Sequence, residues 1–68
     1  MSIEKLEKVM AERGMSVDDL AKAAGIDRST LYRRFKGGGA KITVDEMRRI
    51  AKALVMDEQT IVGIFLNA

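Results

Sequence analysis

Residues 17–36 read VDDLAKAAGIDRSTLYRRFK, and their spacing decides the fold. Val17, Leu20, Ala21 and Ala24 recur at i, i+3, i+4 and i+7, which is one face of an α-helix. Ser16 precedes that stripe with Asp19 three residues on, a shorter version of the capping box, and this predicts the helix start. Gly25 predicts its end, because a left-handed closing residue is least strained without a Cβ. Asp27 then opens a second helix running to about Lys36, with Leu31 and Phe35 one turn apart. Two helices that cross through a short turn need small residues at the crossing, and Ala21, Ala24 and Gly25 supply them. Leu31 and Phe35 are expected to face inward and Ile26 to plug the turn. Ser29, Thr30, Arg33 and Lys36 are then left facing out, with Arg28 in the first turn and Tyr32 on the flank.

Helices are also expected on both sides of this pair. Ser2 can cap a first helix over roughly residues 3–13, its apolar face made by Ile3, Leu6, Val9 and Met10 and its stop by Gly14. Glycines 37–39 stop the third helix. Thr43 and Glu46 form a full capping box for a fourth, with Val44, Met47, Ile50, Ala51 and Leu54 as its buried face and an end near Leu54 or Val55. Asp57 can cap a last helix from Glu58, whose tail Ile61, Val62, Ile64, Phe65 and Leu66 is apolar on more than one side. The expected fold is all-α, one compact five-helix domain over residues 1–68.

Composition narrows the chemistry. A 68-residue chain is small enough that folding buries only about 60% of its extended surface, so the core is thin. The absence of cysteine and histidine removes disulfides, thiol nucleophiles, the usual zinc ligand sets and every imidazole base. No enzyme activity, cofactor, metal or small-molecule ligand is therefore expected. The carboxylates sit at helix starts, where capping and the helix dipole already account for them. No apolar run approaches the eighteen or so residues of a membrane span, the start MSIEKLEKV is too charged for a secretory signal, and the last helix lacks a basic face for a membrane surface. The expectation is a cytoplasmic protein.

Net charge is only +2, but it is unevenly distributed. Residues 22–41 carry six cations against Asp27 alone, whereas residues 1–21 are net −2 and residues 42–68 net −1. The positive field thus falls on the helix pair, as expected of a surface that meets a polyanion. The residue types suit a DNA major groove: arginine can give two parallel hydrogen bonds to guanine, serine and threonine can meet base edges or phosphates, and lysine reaches phosphate. Arg34 and Lys41 are expected to be phosphate ligands rather than base readers, and Arg48, Arg49 and Lys52 a solvated face.

Leu20-Ala21, Ala24-Gly25, Ser29-Thr30-Leu31 and the Gly37 exit resemble the lambda-repressor-like helix-turn-helix family of phage repressors, Cro proteins and their bacterial relatives, and the five-helix order extends the resemblance over nearly the whole chain. The resemblance implies that residues 17–24 are the supporting helix and 28–36 the recognition helix. It assigns base reading to Arg28, Ser29, Tyr32 and Arg33, with backbone contacts near Ser16 and from the loop around Lys41. One position departs from the pattern: many relatives place an apolar residue three after Leu31, where this chain has Arg34, and Phe35 takes the apolar role one residue later.

A single recognition helix covers few base pairs, so two copies on half-sites about 34 Å apart are expected, giving a homodimer on a double-stranded DNA operator. The surplus apolar tail offers the contact: Ile61, Ile64 and Phe65 should mostly close the core, and the expected dimer surface draws on Val62, Phe65 and Leu66. The functional expectation is a small repressor that occupies an operator, regulated by its concentration because no second domain is foreseen. The alternative is a protein-interaction module, antitoxin-like or an anti-regulator, that uses the apolar C-terminal helix.

Overall fold

The computed structural model describes residues 1–66; the last two positions of the expected domain lie outside the described residues. Helices α1 (Ile3–Glu12), α2 (Val17–Ala24), α3 (Arg28–Lys36), α4 (Val44–Ala53) and α5 (Glu58–Ile61) follow one another, and α5 runs into a π-helical turn, Val62–Leu66. Among the described residues there is no strand.

Each helix begins where its cap places it. Ser2, Ser16, Asp27, Thr43 and Asp57 accept the backbone N–H three residues on, at 3.3, 3.1, 3.1, 3.1 and 2.8 Å. At α2 and α4 the box is reciprocal, since Asp19 and Glu46 accept the N–H of Ser16 and Thr43 in return. Gly25 ends α2 at φ 66°, and its N–H returns to the Lys22 carbonyl. The α4–α5 turn instead uses Val55 at φ 52°, a region that β-branched residues rarely occupy.

One buried cluster unites the elements: Leu6 and Met10 from α1, Leu20, Ala21 and Ala24 from α2, Leu31 from α3, Ile50 and Leu54 at α4, and Ile64 from the π-helical turn. Leu6, Leu20, Leu31, Ile50 and Leu54 are fully enclosed. Ile26 and Phe35 are half-buried against this cluster, as their spacing predicts.

Three expectations need correction. Val44 does not join the buried face of α4 but is 63% exposed, because it opens the helix at the rim of a shallow groove shared with Leu66. Arg49 is more than part of a solvated face: its Nε meets Asp45 at 2.9 Å and its Nη1 donates to the Gly25 carbonyl at 3.3 Å, occupying an acceptor at the end of α2. The last helix is not a uniform α-helix, since widening into the π turn accompanies burial of Ile64, whose carbonyl accepts the Ser2 N–H at 2.8 Å. No helix among the described residues is long and apolar enough to cross a membrane.

Candidate nucleic-acid interface

α3 exists to hold a row of side chains away from the core. Leu31 alone of its nine residues is buried, with Phe35 half-buried one turn on, so the opposite surface is free. Arg28, Ser29, Tyr32 and Arg33 line one open hollow on it. Arg33, Arg34 and Lys41 line a second with Gly37 and Ala40, so Arg33 joins the two. Three cations thus border one concavity at the exit of α3, a suitable surface for phosphate oxygens.

The first hollow is organised by Arg28. Its Nε lies 2.8 Å from the Asp18 carboxylate on the first turn of α2. Its guanidinium sits over the Tyr32 ring, 5.6 Å from the centroid. Tyr32, 44% exposed, therefore partners Arg28 across one helical turn. Ser29 is exposed, whereas Thr30 is half-buried and serves the cap: its hydroxyl donates to Asp27 at 3.4 Å and accepts from Arg33 Nη2 at 3.3 Å. That bond engages one Nη group at the tip of Arg33, whose side chain is otherwise exposed.

Arg34 is the least free of the cations. Glu46 Oε1 accepts from Arg34 Nε at 2.9 Å and Glu46 Oε2 from Arg34 Nη2 at 3.3 Å, a two-pronged pair with side-chain exposures of 24% and 15%. The same Oε1 accepts the Thr43 N–H at 3.0 Å, so one carboxylate starts α4 and ties it to α3. The Arg34 hydrogen bond, ahead of the Thr43 backbone bond, holds the Glu46 carboxyl below its ordinary pKa and raises that of Arg34.

Of the residues singled out in the sequence, Arg28, Ser29, Tyr32 and Arg33 come together, as do Arg33, Arg34 and Lys41. Ser16, Thr30 and Lys36 border neither hollow. Ser16 caps α2, where the Ser16 backbone hydrogen bond lowers the pKa of Asp19. Lys36 is exposed in the last turn of α3, where a cation suits the helix dipole. Asp18 and Glu46 were not anticipated as partners. Asp18 reaches Arg28 across the turn, and Glu46 already had a complete local explanation as a capping residue.

At the C-terminal end Val62 is 46% and Leu66 68% exposed, while Phe65 is half-buried on the core. Phe65 and Leu66 border the shallow groove with Met1, Gly39, Ile42, Val44 and Met47. Gly39, at φ 81°, has its Cα against the Met1 side chain, where a Cβ would collide with the thioether.

Compared with known protein families, residues 5–65 match the Cro/C1-type HTH DNA-binding domain. No curated protein and no solved structure matches the chain.

Proposed function

Because the chain belongs to the family of Cro/C1-type helix-turn-helix DNA-binding domains, we propose that it is a sequence-specific, double-stranded DNA-binding transcriptional regulator acting in the cytoplasm, a small repressor that occupies an operator with α3 in the major groove. The observation that carries this reading is the single face on which Arg28, Ser29, Tyr32 and Arg33 converge, continuous through Arg33 with the cationic hollow of Arg34 and Lys41. Arg28 and Arg33 supply bidentate donors for base edges, Ser29 and Tyr32 shape the contact, and Lys41 and Lys36 meet phosphate. Ser16, at the front of α2 with its own N–H held by Asp19, sets the end of the supporting helix beside the strand that flanks the groove, and Thr30 supports α3 from within its cap. Arg34, tied to Glu46, presents the remainder of its guanidinium at the rim of the hollow.

Binding of the purified protein to random-sequence duplex DNA at two salt concentrations tests this. Affinity should fall steeply with salt, Lys36→Ala/Lys41→Ala should reduce the slope of log affinity against log salt by about 2, and Arg28→Ala/Arg33→Ala should weaken binding. Absence of binding at low salt by the unaltered protein would overturn the reading and favour a protein-interaction module built on the apolar C-terminal surface.

Two copies on one operator, joined through Val62, Leu66 and the exposed edge of Phe65, complete the proposal. The support is the apolar exposure of these residues beside the groove bordered by Val44 and Met47. Val62→Lys/Leu66→Lys should convert a sedimenting dimer to monomer with helicity intact, and an unchanged mass distribution would reject this surface.

A further inference from the structure

The ion pair between Asp18 and Arg28 is remote from the buried cluster. Both side chains are largely exposed, 52% and 71%, and neither caps a helix through its side chain. Its position is the informative feature: an acidic side chain of the supporting helix is in contact with the foremost cation of the recognition helix. An exposed arginine left alone samples many rotamers and pairs with whatever anion is nearest, which on DNA is the backbone phosphate. Here a carboxylate lies 2.8 Å from Nε and the Tyr32 ring centroid 5.6 Å from the guanidinium carbon, so two neighbours restrict where the group can go. A guanidinium held at Nε retains both Nη groups, more than the two donors that guanine O6 and N7 accept.

We propose that Asp18 is a positioning residue that sets specificity: it steers Arg28 onto a base edge, with guanine as the fitting acceptor, and its negative charge at the front of α2 weakens sequence-independent attachment to phosphate. The inference rests on the DNA-binding reading above. It assigns the groove-reading surface a component that comes from the supporting helix and carries the opposite charge to the polyanion's usual ligands.

The test compares Asp18→Asn with the unaltered protein, each alone and combined with Arg28→Ala, on two DNA probes. One is a random duplex; the other is a site enriched from a random library, with and without replacement of the base pair whose preference Arg28→Ala abolishes. Asp18→Asn should bind the random duplex more tightly at low salt, and its discrimination at that base pair should fall by about threefold. In the Arg28→Ala background it should still tighten random binding, and in either background it should leave discrimination at the other base pairs of the site unchanged. A merely structural role would lower discrimination at every base pair alike. Asp18→Ser, which retains a helix-start residue, repeats the comparison if the first variant unfolds at a lower temperature. Unchanged discrimination at that base pair in Asp18→Asn, or an equal fall at the other base pairs, overturns the inference while leaving DNA binding in place. Failure of the unaltered protein to enrich any site would overturn the underlying functional reading as well.

Discussion

α2 and α3 differ by one residue in length, each is capped by a side chain that accepts the N–H three residues on, and yet they distribute their side chains in opposite ways. α2 buries Leu20, Ala21 and Ala24, so it is held along its length. α3 buries Leu31 alone and leaves its cations outside. The difference teaches that a reading helix cannot be stabilised the way a supporting helix is: residues kept free for a groove are unavailable for packing, so α3 depends on one deep anchor and on ties reaching out from its neighbours. Those ties are Glu46 from α4 to Arg34 and Asp18 from α2 to Arg28.

The sharpest way to break the comparison is at the anchor. Leu31→Ala should cost about 2–5 kcal/mol in denaturant unfolding, a large share of the stability of so small a domain. A loss below about 1 kcal/mol, the size of a surface effect, would mean that α3 is held chiefly by its charged ties.

The next effect should come from Glu46→Gln, which keeps the shape of the capping side chain while removing the charge facing Arg34. A stability loss of about 1–2 kcal/mol is expected at neutral pH. Its pH dependence follows from the depressed Glu46 pKa: the pair's contribution is complete above the ordinary carboxylate range and is lost as pH falls through the lowered folded value. Asp19 and Asp57 are shifted in the same direction by their backbone hydrogen bonds from Ser16 and Thr60, so acid should weaken α2 and α5 as well. Glu46→Gln should therefore narrow the gap from the unaltered protein as pH is lowered, and a constant gap from pH 7 to 3 would reject the ion pair as its source.

Smallest is the joint between the two helices. Gly25→Ala should destabilise by about 1 kcal/mol, because alanine resists the left-handed conformation. The new Cβ would lie 3.3 Å from Arg49 Nη1, the far end of a flexible side chain that can give way. A thermal midpoint equal to that of the unaltered protein would show that the turn has relaxed.

The helix pair was legible in the sequence because its determinants are local. Cap, stripe and stop fall within a few residues of one another at Ser16, Leu20 and Gly25, and the inward placement of Leu31 and Phe35 follows from helical periodicity. The charge ties were less legible because they depend on how two helices cross: Asp18 lies ten positions before Arg28, and Glu46 twelve after Arg34. The contact of Arg28 with Tyr32 is of the local kind, since the two lie one turn apart on α3, although the sequence reading only placed Tyr32 on the flank. The C-terminal tail failed for a different reason. A run such as VGIFL is apolar on several sides, so its pattern does not select between an α-helical and a π-helical turn, and the packing of Ile64 accompanies the wider one.

The five side-chain caps carry a consequence for how quickly the chain can organise. Each closes a segment of only a few residues, from 2.8 to 3.3 Å contacts within a single turn, so little loop entropy has to be lost before it forms. Helix starts are therefore marked in the chain before any distant residues meet. The slow event that remains is docking Leu6, Leu20, Leu31, Ile50 and Leu54 against one another, and domains of such local topology reach the native state on the order of microseconds to milliseconds.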